Sequence, residues 1–176
     1  MPTPPPRPSA QGLFDALKRC GIDHVTTVPD LAQLSLHEKL EAPGSGFRVV
    51  HCSNENQAIQ VSTGLYIGGR SVITLMQNQG LYNCLNTLRA CGADASMPLL
   101  MLIGQFGREF DNVGQDSRRS RRRMVSWMSP VLDAAGIPHW EIESDADIPK
   151  LDEAWRHSRQ HKTPAAVVVG NYTAWD

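Results

Sequence analysis

The sequence predicts an α/β fold: a doubly wound, six-stranded, mostly parallel sheet with helices on both faces. Three observations carry this. Short apolar segments alternate with helix-period segments along the whole chain. Two of them, residues 98–103 (PLLMLI) and 165–169 (AAVVV), are apolar without interruption, as strands buried on both faces are. The 176 residues, 41% hydrophobic and 20% charged, suit one domain with a substantial core.

The elements follow in order. Ser9 caps a helix with Leu13, Phe14 and Leu17 on its apolar face, ended by Gly21. Residues 24–28 form a β-branched strand stopped by Pro29-Asp30. Residues 31–40 have helical spacing, with Leu31, Leu34, Leu36 and Leu40 as its apolar positions, and 47–52 make a second strand. A helix then runs from Asn54 to Tyr66, ending near Gly68-Gly69. Residues 71–76 form the third strand, 81–90 a helix and 98–103 the fourth strand. Residues 104–117 read as a loop, and 119–135 as a helix with Met124, Trp127, Met128, Val131 and Leu132 on one face and a bend at Pro130. A short strand at 139–142, a helix at 148–160 with Pro149 in its first turn, and the strand at 165–169 complete the chain. The proline-rich residues 1–8 read as an extended, mobile tail and 9–176 as a single domain.

Composition removes several functions. A net charge of -1 gives no general attraction to nucleic acid or anionic lipid. No apolar run approaches the roughly 20 residues that span a bilayer, and the N-terminus lacks the apolar centre of a signal peptide. Cys20, Cys52, Cys84 and Cys91 form no C-x-x-C pair and join no His cluster, so free thiols in a reducing cytoplasm are expected, with no metal site. The G-x-G-x-x-G, G-x-x-x-x-G-K-[ST] and G-x-S-x-G motifs are all absent.

In such a sheet, ligands bind beyond the carboxyl ends of the strands. This sequence places Val28-Pro29-Asp30 after the first strand and His51 to Asn56 after the second. Gln77-Asn78-Gln79-Gly80 follows the third, and Gly104 to Glu109, including Arg108, the fourth. The third loop spends three amides and a glycine where a plain turn needs one such residue. Glu55 has an ordinary explanation. Asn54 caps the helix, Gln57 completes a capping box, and a carboxylate in the first turn gains about 0.3–1 kcal/mol from the helix dipole.

The residues Ser53-Asn54-Glu55-Asn56, with a helix ending Gly64-Leu65-Tyr66-Ile67-Gly68-Gly69, resemble the pyrimidine-binding domain of thiamine diphosphate enzymes. The segment from Met76 to Asn83, followed by Asn86, is similar to the M-Q-N-S-G-L-G-N segment of phosphonopyruvate decarboxylases and sulfopyruvate decarboxylase alpha subunits. The resemblance covers roughly residues 10–170. It implies that Glu55 hydrogen-bonds the pyrimidine ring nitrogen, favouring the form that takes the thiazolium proton, so that the cofactor can serve as electron sink for loss of CO2. It implies a proton-transfer role for Asp30, a cofactor pocket lined by Gln77, Asn78, Gly80 and Asn83, with Gly80 letting the backbone approach a ligand, and substrate contacts from Asn78, Gln79 and Arg108. Gln79 and Tyr82 depart from the pattern, which has Ser and Gly there, and the R-G-E-x-G and P-Q-H segments of relatives are missing.

Enzymes of this kind also need a diphosphate-binding domain with a G-D-G motif to hold Mg²⁺. This chain has none. The resemblance therefore implies the alpha subunit of a heteromer, whose separate beta subunit holds the diphosphate and Mg²⁺. The implied reaction is decarboxylation of a 3-phosphono- or 3-sulfopyruvate-like acid to an aldehyde. A carboligase using the same cofactor-bound intermediate and a non-catalytic, regulatory paralogue remain open. The arginine-rich run 118–123 reads as a solvated or partner-facing helix start, or as an attractor of an anionic substrate.

Overall fold

The computed structural model describes residues 6–175. Six parallel strands form one sheet in the order β2-β1-β3-β4-β6-β5. They are β1 (His24–Thr27), β2 (Arg48–His51), β3 (Val72–Gln77), β4 (Leu100–Gly104), β5 (His139–Ile142) and β6 (Ala165–Val169). The sheet is therefore parallel throughout rather than mostly so.

Alternation along each strand explains the continuous apolar segments. Leu100 and Leu102 of β4 pack into a core with Leu13 and Leu17 of α1 (Ala10–Arg19), Leu36 and Leu40 of α2 (Leu34–Glu41), and Leu151 of α7 (Pro149–His161). Met101 and Ile103 pack on the other face. Their neighbours there are Ile59 of α3 (Glu55–Ile67), Leu81, Cys84 and Leu88 of α4 (Asn78–Leu88), and Met128 and Leu132 of α6 (Met128–Ala134). One polar device ties α3 to the sheet: the buried hydroxyls of Thr26, Ser62 and Thr74 bond one another at 2.6, 2.7 and 3.1 Å.

The strand order reverses between β1 and β3, because the chain steps out to β2 and returns past β1. The crevice at such a reversal, at the carboxyl ends, is where this architecture binds ligands. Asp30 leaves β1 and Gln77 ends β3 at that place.

Three expectations change. Helix α4 starts at Asn78, directly after β3, so Asn78, Gln79 and Gly80 are its first turn rather than a loop. The helix read over 119–135 is two short helices, α5 (Arg123–Ser126) and α6, meeting at Trp127. Pro130 falls in the first turn of α6, where its missing N–H costs nothing, and the interruption at Trp127 lies three residues before it. The helix read over 31–40 opens as a 3-10 turn (Leu31–Gln33), with Leu31 and Leu34 exposed. At the end of the expected tail, the carbonyls of Pro6 and Pro8 accept from Asn171 Nδ2 at 2.8 Å and Ala174 N at 2.9 Å. The rest of the expected tail, residues 1–5, lies outside the described residues.

Candidate active site

Asn54, in extended backbone, accepts from the Gln57 N–H at 3.0 Å and caps α3. Gln57 Oε1 accepts from Ser53 N at 2.7 Å and Ser53 Oγ at 2.9 Å, so the expected box closes one residue early. This fixes Glu55 as the first residue of α3. Its side chain does not turn to its own helix. It crosses to α4 and lies over Gly80, where an added Cβ would overlap Glu55 Cγ and stand 2.5 Å from Oε1. Asn83 Nδ2 donates to Glu55 Oε2 at 3.1 Å, while Oε1 takes no hydrogen bond from the described residues. Asn56 bridges the same helices, donating to Asn83 O at 3.3 Å and accepting from Thr87 Oγ1 at 2.5 Å. The glycine expected to admit a ligand thus makes room for the Glu55 carboxyl.

The amides divide. Gln77 and Gln79 reach the surface, with Gln77 Nε2 donating to Gln79 Oε1 at 2.9 Å. Asn78 is buried and fully engaged: Nδ2 donates to Phe106 O at 3.0 Å and Met124 O at 2.9 Å, and Oδ1 accepts from Gln79 N. Where the sequence reading has Asn78 meeting a ligand, its side chain here fastens the segment after β4. Tyr82, the larger residue where the pattern has Gly, does the same, donating to Met124 O at 2.9 Å.

Arg108, expected at the substrate, is engaged in the same way. It is buried, and its guanidinium is used up inside the chain. It donates to Asn112 Oδ1, Gln105 Oε1, Asn112 O and Gln115 O at 2.8–3.1 Å and pairs with Glu143 at 2.5 Å. It is the hub around which residues 105–115 fold. The other arginines are mostly paired as well: Arg118 with Asp133, Arg121 with Asp111, Arg122 with Gly107 O, and Arg123 stacked on Trp127. A cleft of about 190 Å³ beside them holds both Arg119 and Arg121 and the carboxylates Glu109 and Asp111.

Asp30, which follows β1, is 1% exposed, its carboxyl lying against Gly104 at the end of β4. Its Oδ1 accepts from Ala32 N at 2.9 Å and its Oδ2 from Gln33 Nε2 at 2.7 Å. Burial pushes its pKa from 3.8 up to about 6, against the opposing pull of hydrogen bonds from Gln33, Ala32 and Gly104. The raised value sets a stability slope. Below pH 4 both states are protonated and the contribution is full. Between about pH 4 and 6 the unfolded chain releases the proton first, so stability is lost as pH rises, by up to about 3 kcal/mol. Buried His37, pushed down to about 4 by burial, opposes this: its contribution is lost as pH falls from 6.5 toward 4. Urea melts of the wild type against Asp30→Asn separate the two. The difference in stability between them is expected to grow from pH 4 to 6; a constant difference would show that Asp30 titrates normally.

Sequence reasoning missed Gln33 and Gly104, which hold Asp30. The available signals were weak: a polar residue inside an apolar helical stretch, and a glycine closing an apolar strand.

Residues 8–128 match the family described as thiamine pyrophosphate enzyme, N-terminal TPP binding domain. The chain belongs to this family. The TPP-binding domain is 25% identical over 162 residues to the sulfopyruvate decarboxylase subunit alpha of Methanococcus maripaludis, covering 92% of this chain and 93% of that one. It is 23% identical over 153 residues to the sulfopyruvate decarboxylase of Methanosarcina acetivorans, covering 85% of this chain but 38% of that longer one. The crystal structure of benzoylformate decarboxylase from Polynucleobacter necessarius shares its fold, with a TM-score of 0.73 at 16% identity; the domain covers 93% of its own length and 30% of that chain. Thiamine diphosphate is thus the cofactor of the family, and decarboxylases are among the relatives. Glu55, Gly80 and Asn83 would suit the pyrimidine half of that cofactor: a carboxyl oxygen without a partner among the described residues, on a glycine floor, with its other oxygen held. Among the described residues no group of three or more His, Cys, Asp or Glu is placed to hold a metal ion, and no helix is long and apolar enough to cross a membrane.

Proposed function

We propose that this chain is the pyrimidine-binding alpha subunit of a two-subunit, thiamine diphosphate-dependent decarboxylase of a 3-sulfopyruvate- or 3-phosphonopyruvate-like acid, giving an aldehyde and CO2 in the cytoplasm. The observation that carries the reading is the Glu55 carboxyl, drawn across Gly80 and held by Asn83 with one oxygen left over. A second observation supports a partner. Helices α3 and α4 pack side by side and contain one charged residue between them, Glu55, in a chain that is 20% charged. Depletion of charge marks the centre of an interface. The beta subunit would cover this pair of helices and supply the G-D-G motif, the diphosphate site and Mg²⁺. The name of the Methanococcus relative, a subunit alpha, fits that division, and so does the longer Methanosarcina chain.

When bound, thiamine diphosphate supplies the electron sink for loss of CO2 from a 2-oxo acid. This chain's residues do the rest of the work assigned to it. Glu55 holds a proton at Oε1 toward the pyrimidine nitrogen, and Asn83 orients it. Gln77 and Gln79 present amides to the substrate side. Decarboxylation takes up one proton for each CO2 lost, and Asp30, half-protonated near pH 6, is suited to keep one in store. Tyr82 bears on the rival reading of a non-catalytic paralogue: its hydroxyl donates to Met124 O, a structural use for its size that does not require a loss of activity.

The test is an assay of the chain with its co-purified partner, thiamine diphosphate and Mg²⁺, following CO2 and aldehyde from sulfopyruvate and phosphonopyruvate. Turnover of either is expected. Regulation of another enzyme's activity with no turnover would favour the paralogue, and acyloin product the carboligase.

A further inference from the structure

We propose that Gln33 is the positioning residue for Asp30: its amide, clamped by strands β3 and β4, holds the Asp30 carboxyl against Gly104 at the end of β4 in the orientation that proton transfer needs. The proposal deepens, and rests on, the reading of Asp30 as a proton-holding group.

The geometry is specific. Gln33 is fully buried. Its Nε2 donates to Asp30 Oδ2 at 2.7 Å and reaches Met76 O and Leu102 O, both at 3.3 Å. Those carbonyls belong to two strands that do not carry Asp30. Turning the amide over would set Oε1 against three oxygen atoms, so the donor side is locked toward the carboxyl. The opposite end is the telling one. Gln33 Oε1 is shut off from solvent and has no hydrogen-bond partner among the described residues. An orphaned buried carbonyl costs stability, and Met or Leu would fill the same space without it. A residue kept only to pack or to tie strands has no reason to bear that cost; one that must donate to a carboxylate has.

Gly104 completes the seat. A Cβ there would overlap Asp30 Oδ2 and stand 2.8 Å from its Cγ, so the carboxyl rests on bare backbone at the end of β4. The groups acting on Asp30 are Gln33, the Ala32 N–H and the Gly104 N–H, with no charged side chain among them. Burial is the largest influence on the Asp30 proton, and Gln33 is the side chain that works against it by favouring the carboxylate.

The experiment is a carbon-13 NMR titration of the Asp30 carboxyl in the full-length chain, wild type against Gln33→Met, with Gln33→Leu as a second variant should the first disturb folding. It is paired with the pH dependence of kcat/KM in the partner complex. Loss of the donor disfavours the carboxylate, so the Asp30 midpoint is expected to rise by about one to two pH units, and the corresponding limb of the pH–rate profile by the same amount. An unmoved midpoint in both variants would overturn the positioning role while leaving Asp30→Asn to judge Asp30 itself. A midpoint that rises while the rate profile stays fixed would overturn the proposal through Asp30, showing that its proton is not the one transferred.

Discussion

Glu55→Gln, assembled with the partner subunit, is expected to lose about 10²- to 10⁴-fold in kcat, the range for removal of a positioned acid–base group. Glutamine has the same length and can accept from Asn83 and lie over Gly80 as the carboxyl does. It cannot carry a proton between Oε1 and a ring nitrogen. Because the contacts within the chain survive, stability is expected to change by no more than about 0.5 kcal/mol. Activity and fold are thereby separated. A Glu55→Gln enzyme with wild-type kcat would return Glu55 to its ordinary explanation, a carboxylate in the first turn of a capped helix worth about 0.3–1 kcal/mol.

Gly80→Ala probes the same carboxyl from the other side. The added methyl would occupy the position of Glu55 Cγ. The backbone of α4 is fixed by core residues Leu81 and Cys84, so the flexible Glu55 side chain is what moves. A reacting group displaced by about 1 Å can cost on the order of 10²-fold in rate, and that is the loss expected. Stability should hold or rise, since Ala exceeds Gly in helices by up to about 1 kcal/mol. The combination of a firmer fold and a weaker enzyme is the signature of a glycine kept for its neighbour. Undiminished activity in Gly80→Ala would show that Glu55 need not lie where it does.

The sequence reveals the architecture wherever burial dictates residue type. The continuous apolar segments at 98–103 and 165–169 read as interior strands, and β4 and β6 are neighbours inside the sheet, neither of them at an edge. Strand order is not legible, because it depends on which helix covers which face, and every core helix here is apolar on its inner side. The candidate site is half legible. Glu55 stands out through the residues around it, whereas the pair it makes with Gly80 joins two helices and has no local trace. The amides after β3 were misleading for a physical reason. Asn78, Gln79 and Gly80 have turn chemistry, yet a strand can pass straight into a helix when Gln77 takes extended backbone at the cap. Asn78 and Arg108 look like ligand-binding residues for the same property that makes them good internal fasteners: many hydrogen-bond donors or acceptors on one side chain. Only the acceptors around them, Met124 O and Phe106 O for one, Gln105, Asn112 and Gln115 for the other, decide which use is made.

The most direct test of the shared site is isothermal titration of thiamine diphosphate with Mg²⁺ into this chain alone and into its complex with the co-purified partner. The account predicts heat of binding in the complex and none in the isolated chain, because Glu55, Gly80 and Asn83 furnish the pyrimidine side and the partner the diphosphate side. Tight binding by the isolated chain would contradict a site divided between subunits, and no binding in either state would contradict the cofactor role of Glu55.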